Sequence, residues 1–343
     1  MYGDAIKPGQ ASRVSRVLDC LIVGGGPAGL TASVYLGRFR RDVRVVDGGW
    51  SRAEWITRSH NVPGFPEGIA GPVLLARLRE QARLFGATLD HGYVESLRRD
   101  DDLFVATVDG VSVYARTIIL STGVVENKPP VPHLADAVKS GLIRTCPICD
   151  GYENIDKRIA VLGDGAHAAA EALFLRTYTP NLSLLLVDKT AALAPAALNA
   201  LAAAGIVVGH VGLGAGAVRL ENHGVTALVA EDGQAHRFDV VYSAFGTTSQ
   251  TKLAASLDAK MDASGRLYVS EHQQTSVDGL YAAGDVVRGL NQISVANGEA
   301  AIAATAVHNH LAMVHGLQEH DISTRPADAI VNAREALTTQ HPR

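Results

Sequence analysis

The clearest pattern in the chain is a repeated order of apolar run, glycine turn and amphipathic stretch. Residues 17–23, VLDCLIV, form an apolar run of strand length that ends in GGGPAG at 24–29. A helical stretch containing Ala and Leu follows, and residues 42–47, DVRVVD, then alternate as a strand does. The plan returns in the middle of the chain. RIAVLG at 158–163 predicts a strand, GDGAHA at 163–168 a turn, AAAEALFLRTY a helix and LSLLLVD at 182–188 the next strand. Two such units predict an α/β fold with two Rossmann-like dinucleotide-binding domains.

Two connections lie near the second unit, the proline-rich ENKPPVPH at 126–133 and GTTSQTK after residue 245, which reads as a loop. Beyond them the pattern returns to strands and then to a long Ala-rich helix at 294–311. The simplest topology inserts the second domain into the first. It gives the first domain residues 15–126 and 248–320, the inserted domain residues 127–247, and leaves 321–343 as a loosely held tail.

Length and composition add limits. At 343 residues the chain is too long for one comfortable core. Apolar residues at 47% and charged residues at 19% fit a well-buried globular protein. A net charge of -4 with no basic block gives no reason to expect nucleic acid or an anionic membrane as partner. The first fifteen residues lack the apolar core of a signal peptide, and no uncharged apolar run reaches the roughly 18 residues of a membrane span. The expectation is a soluble, cytoplasmic protein.

The first turn reads Gly24-x-Gly26-x-x-Gly29, with Pro27 and Ala28 opening the helix. Such glycines permit a tight turn, close approach of a pyrophosphate and close helix–strand packing, while the helix start offers unpaired N–H groups to phosphates. Asp47 follows at a strand end, placed to accept ribose hydroxyls. In the second turn Gly163 and Gly165 are followed by Ala168, which suits a nicotinamide nucleotide or a retained fold without its ligand. Cys146-Pro147-Ile148-Cys149 at a helix start brings two sulfurs within disulfide reach and lowers a thiol pKa. Zinc would need two further ligands, and no second close pair of Cys or His stands near, so no metal is expected. Cys20, inside the first strand, reads as a buried structural thiol. His167 is a candidate phosphate contact. Trp50 and Trp55 read as packing or surface. In LYAAGD, Asp285 is delivered to a turn where it can bond the sugar-like chain of a flavin.

GGGPAG (24–29), SHNVPGFPEGIAG (59–71), STG (121–123), CPICDGYE (146–153), GDGAHA (163–168) and TSVDGLYAAGDV (275–286) stand in the order found in thioredoxin reductases. Over about residues 17–312 the chain resembles the low-molecular-weight bacterial type. That resemblance implies an FAD domain with an inserted NAD(P)-type domain, as a homodimer. Cys146 is then the thiol that attacks the substrate disulfide, Cys149 the one against the flavin, and Asp150 the acid–base group. Asn61, Thr122, Gly123, Gly284 and Asp285 belong to the FAD site, with Asn291 and Gln292 near the isoalloxazine. The partner is thioredoxin, a similar dithiol protein, or a small dithiol or disulfide.

The chain departs from the pattern in one place. NADPH-using members carry a basic cluster after the second strand of the inserted domain. Residues 187–195 here read VDKTAALAP, with one Lys and no Arg. A carboxylate at Asp188 repels a 2′-phosphate and suits a free 2′-hydroxyl, so NADH is expected to serve at least as well as NADPH. The GYE after the thiols is similar to that of the related dithiol oxidases, which pass electrons from a small dithiol through FAD to oxygen. Reductase is the leading expectation. The dithiol oxidase, and a flavin-binding regulatory protein with a vestigial redox cycle, stand as alternatives.

Overall fold

The structure, a computed structural model, describes residues 16–127, 134–187, 193–212, 218–221, 224–228 and 233–315. The expectations for Asp188, for most of the 126–133 connection and for the tail at 321–343 lie outside them. Strand β1 (Val17–Val23) runs into helix α1 (Pro27–Arg38) and strand β2 (Val43–Asp47), as the pattern of apolar positions predicts. Helix α2 (Gly71–Leu84) and strand β3 (Thr88–His91) follow, and then an antiparallel meander of β4 (Val94–Asp100), β5 (Leu103–Val108) and β6 (Val111–Leu120).

These strands form one sheet in the order β3-β2-β1-β6-β5-β4. Ten-residue β6 holds it together. Its C-terminal half pairs in parallel with β1 and its N-terminal half antiparallel with β5. The last residues of β6 also take a late strand, β17 (Leu280–Ala282), in parallel. The sheet therefore contains strands from both sides of a long stretch of chain. Leu21, Ile118, Leu120 and Leu280 are buried on one face, and Ile22, Ile119 and Tyr281 on the other. Strands covered on both faces need these near-continuous apolar runs. Each such Leu or Ile contributes roughly 1.5–3 kcal/mol by leaving water.

Strand β7 (Val124–Glu126) leaves this sheet, and helix α3 (Leu134–Lys139), strand β8 (Ile143–Arg144) and helix α4 (Pro147–Asp150) come next. The second unit is β9 (Ile159–Gly163), α5 (Gly165–Leu175), β10 (Leu182–Leu186), α6 (Pro195–Ala203) and β11 (Val207–His210). A three-stranded antiparallel sheet of β12 (Val218–Glu221), β13 (Gly224–Leu228) and β14 (Ala235–Phe238) leads to β15 (Val240–Ala244). The parallel sheet of this part has the order β11-β10-β9-β15-β8. Its cores carry Val161, Leu184 and Tyr242 on one face and Leu162, Leu185 and Val241 on the other.

The stretch GTTSQTK is not simply a loop. Strand β16 (Thr247–Ser249) pairs antiparallel with β7, so that Thr247 faces Glu126, and helix α7 (Lys252–Ala255) follows at once. Two Thr and a Ser carry no apolar alternation, but Thr is a good strand former and the partner strand supplies the ladder. Helix α8 (Ile293–His315) is longer at both ends than the predicted 294–311. Ala296, Ala300, Ala303 and Ala304 lie buried with Ala28 and Ala32 of α1, and side chains this small let two helices approach closely over the sheet. Among the described residues no helix is long and apolar enough to cross a membrane.

Candidate functional site

The first glycine turn is shaped by contacts that no side chain could tolerate. Gly24 has φ +112, and a Cβ there would lie 2.3 Å from the Ser121 carbonyl oxygen. A Cβ on Gly29 would lie 2.0 Å from the Gly24 carbonyl oxygen. Gly26 is different. Its backbone is ordinary, and a Cβ would meet only Ser51 Oγ at 3.3 Å, so its small size leaves open space above the turn. Gly26 caps α1 without a side-chain bond and Pro27 follows, so the first-turn N–H groups face that space. Ser121 locks the turn by donating to the carbonyls of Val23 and Gly24, each at 3.0 Å. Asp47, at the end of β2, accepts the Gly49 N–H at 2.8 Å, and Arg79 reaches its other oxygen at 3.4 Å.

Asp285 follows Gly284, whose φ is +81, in the turn after β17. Its carboxylate pairs with Arg52 at 3.0 Å, and Arg52 also donates through Nε to Glu126 at 2.6 Å. All three side chains are mostly buried. Burial pushes the Glu126 carboxyl up from its usual range, against the pull of the Arg52 guanidinium. Thr122 donates to the Gln250 carbonyl at 2.6 Å, and the Gly123 carbonyl accepts the Gln250 N–H at 3.0 Å. Asn291 Oδ1 is a buried oxygen with no hydrogen-bond partner. A buried acceptor left without a donor is costly, and a ligand N–H or O–H would satisfy it. That orphan oxygen and the open turn above Gly26 fit a bound dinucleotide such as FAD.

Cys146 and Cys149 are joined as a disulfide with Cα atoms 5.3 Å apart. Cys146 caps α4, a single turn started by Pro147, and both cysteines are half-buried. The disulfide faces residues from the first sheet's part of the chain. Gln292 Nε2 lies 3.5 Å from each sulfur. Asn61 Nδ2 donates to Gln292 Oε1 at 2.9 Å and to the Ile148 carbonyl at 3.4 Å. Next to it, His60 Nδ1 is 2.9 Å from Glu153 Oε1. The sulfurs thus stand beside Gln292, next to the start of α8.

Asp150 turns the other way. Its carboxylate accepts the Tyr242 hydroxyl at 2.7 Å and pairs with Arg144 at 3.2 Å. The Tyr242 oxygen in turn accepts from Asn154 Nδ2 at 2.9 Å. Burial raises the Asp150 carboxyl above the usual carboxylate range, while Tyr242 and Arg144 oppose the shift. Burial first, and the Asp150 charge second, push the Tyr242 phenol up strongly. Tyr242→Phe is therefore expected to destabilise the fold by about 1–3 kcal/mol, because buried partners lose a bond. It also removes a donor that favours the charged carboxylate, so Asp150 should hold its proton to higher pH. A raised folded pKa contributes stability that is present at low pH and lost as pH rises through it. The difference in melting temperature between variant and wild type, followed across the carboxylate range and above it, checks the sign.

In the second turn a Cβ on Gly163 would strike the Ala244 carbonyl oxygen at 2.5 Å, while Gly165, at φ +67, faces open space. Ala168 is fully buried against the sheet. Asp164 Oδ1 accepts the Val187 N–H at 2.9 Å and ties the turn to the end of β10. His167 is exposed and lies 3.1 Å from Glu171, whose bond to it is the main cause of a raised imidazole pKa.

The sequence motifs therefore meet in two places. Gly24, Gly26, Pro27, Ala28, Gly29, Asp47, Thr122, Gly123, Gly284 and Asp285 lie around the C-terminal ends of the first sheet. Asn61 and Gln292 lie against the disulfide turn, and Asn291 precedes Gln292. Arg52, Glu126, Arg144 and Tyr242 carry no motif, and only the fold brings them to the site. Cys20 is fully buried, and burial pushes its thiol up to about 12. Trp50 and Trp55 are exposed.

Residues 18–300 match the family described as pyridine nucleotide-disulphide oxidoreductase. A thioredoxin reductase from Mycolicibacterium smegmatis is 34% identical over 171 residues, 49% of this chain and 55% of that protein, so the alignment spans about half of that relative. The thioredoxin reductase of Mycoplasma pneumoniae is 28% identical over 304 residues, covering 86% of this chain and 96% of the relative. The crystal structure of thioredoxin reductase from Streptococcus pyogenes superposes with a TM-score of 0.79 at 26% identity, over 87% of this chain and 99% of that one.

Proposed function

The chain belongs to the pyridine nucleotide-disulphide oxidoreductase family, and on that premise we propose an FAD-dependent disulfide reductase of thioredoxin-reductase type with Cys146 and Cys149 as its working thiols. The observation that carries the reading is the disulfide set against Gln292 and the Asn61 side chain that holds it. Residues 15–126 and 248–320 form the flavin domain, and 127–247 the inserted one. The division is supported by the two separate sheets, one mixed and one parallel, joined through β7 and β16.

Bound FAD would supply the redox chemistry, a two-electron link between a reduced nicotinamide and the disulfide. The glycine turn at 24–29 and Asp47 would hold the dinucleotide, and Asn291 would orient it with its free oxygen. Arg52 keeps Asp285 and Glu126 in place behind the site. Reduction breaks the Cys146–Cys149 bond. Cys146 then attacks a partner disulfide as the thiolate, and Cys149 displaces the reduced partner from the mixed disulfide. Asp150, held by Tyr242 and Arg144 on the side away from the sulfurs, exchanges the proton with them through solvent. The partner is a thioredoxin-type disulfide protein.

NADH serves at least as well as NADPH. Residues 187–195 contain one Lys beside a carboxylate and no Arg, and a lone Lys is a poor grip for a 2′-phosphate. The test is anaerobic stopped-flow reduction of the flavin by each nucleotide, with kcat/KM measured for both. Replacing Asp188 and Thr190 with Arg should raise the use of NADPH. A wild-type preference of tenfold or more for NADPH overturns the assignment. Reduction by a small dithiol but by neither nucleotide replaces the reductase with the dithiol oxidase.

A further inference from the structure

We propose that Gln292 is a catalytic residue that stabilises the thiolate formed when the Cys146–Cys149 bond is reduced. The inference rests on the reading of that disulfide as the redox centre. A primary amide nitrogen can only donate, and Nε2 lies 3.5 Å from each of the two bonded sulfurs, so that an N–H of Gln292 is shared between them. Gln292 Oε1 also lies 3.8 Å from Cys149 Sγ, but a disulfide sulfur has no hydrogen to give it.

The orientation of this amide is dictated by its surroundings. The Ile148 carbonyl can only accept, so it takes the NH2 end of Asn61. The same NH2 group donates to Gln292 at 2.9 Å, which fixes the oxygen end of Gln292 toward Asn61 and turns its NH2 end to the sulfurs. Ser59, buried at the base of this loop, holds Asn61 Oδ1 at 2.8 Å. The carbonyl that starts the relay belongs to Ile148, between the two cysteines. The dithiol turn thus sets the polarity of the donor that serves it.

A disulfide sulfur is a weak acceptor and a thiolate a strong one, so these contacts strengthen on reduction. The disulfide takes up the electron pair supplied by the reduced flavin, which is oxidised. The sulfur–sulfur bond breaks, one sulfur remains a thiolate under the Gln292 donor, and the other takes a proton from solvent. Hydrogen bonding to the charged form lowers the thiol pKa. It also favours the reduced pair, making the disulfide easier to reduce.

The FAD-loaded protein is reduced with dithiothreitol under argon and freed of it. The rate of iodoacetamide alkylation at Cys146 and Cys149 is then mapped against pH by mass spectrometry. Gln292→Met, which keeps the volume and removes the donors, should raise the apparent thiol pKa by about one unit, a tenfold loss of thiolate below it. A tenfold shift in the redox equilibrium corresponds to a two-electron potential more negative by about 30 mV. Asn61→Leu should shift the profile in the same direction and add nothing in the Gln292→Met background. It carries the test alone should Gln292→Met lose its flavin. Alkylation profiles that coincide with wild type overturn the role of Gln292, as does an Asn61→Leu effect that adds fully to that of Gln292→Met. A wild-type disulfide that the flavin never reduces overturns instead the reading on which the proposal rests, whatever the variants do.

Discussion

Cys149→Ser should abolish disulfide turnover while leaving the flavin bound. Neither thiol shapes the glycine turn at 24–29 or the Asp285 turn, so FAD content and absorbance near the flavin maxima should match wild type. Turnover should fall by at least on the order of 10³-fold, a cautious figure beside the losses seen when a nucleophile is removed from a concerted site. Cys146→Ser should be equally inactive but distinct in colour. It leaves Cys149 as an unpaired thiolate beside Gln292, and a thiolate against an oxidised flavin gives a long-wavelength absorption band. Spectra of both variants above pH 8 decide the assignment. A band in Cys149→Ser and none in Cys146→Ser reverses the two roles.

Gly29→Ala is expected to cost the protein its flavin. The added methyl would stand 2.0 Å from the Gly24 carbonyl oxygen and 2.5 Å from Ser121 Oγ. Backbone has to move, because neither neighbour is the free end of a flexible side chain. Overpacking of this kind costs about 1–3 kcal/mol or more, and here the strain falls on the turn that receives the pyrophosphate. Bound FAD after gel filtration should drop more than tenfold, with a lowered melting temperature. Gly298→Ala is the control. It lies in α8, where a methyl meets nothing within 4 Å, and should be neutral or stabilising by about 0.5–1 kcal/mol. Equal flavin retention in the two variants would show that close approach at Gly29 does not govern binding.

The parallel parts of both sheets were legible because buried strands leave long apolar runs and glycine turns mark where they end. VLDCLIV, DVRVVD, RIAVLG and LSLLLVD all lie in strands with boundaries off by at most two residues. The hairpin between β5 and β6 had a readable signal, since Asp109 and Gly110 both adopt positive φ and Asp-Gly is a strong two-residue turn. Ribbon β7–β16 had none, because its three-residue strands are defined by each other and by no periodicity of their own. The chemistry divides in the same way. Cysteines and glycines announce themselves by spacing. Tyr242 lies in an apolar strand, VVYSA, and its hydroxyl finds Asp150 from 92 residues away. Arg52 meets Asp285 across 233 residues. The side chain of Gln292 was expected near a flavin ring, and its donation to the sulfurs depends on an amide orientation that only the Asn61 relay sets.

The chain enters and leaves the second sheet at one place, where Glu126 and Thr247 face each other across the ribbon. Directly opposed residues in an antiparallel pair stand about 5 Å apart. Everything from residue 127 to residue 246 is therefore a cassette whose two ends already touch. A two-residue turn could close the gap without rethreading β17 or α8, and a foreign module with neighbouring termini could be spliced in its place. The recipient would keep its own dinucleotide turn and acquire new reactive chemistry along with the graft. Such an architecture suits exchange of the disulfide-bearing third of the chain by recombination at two points that are neighbours in the fold.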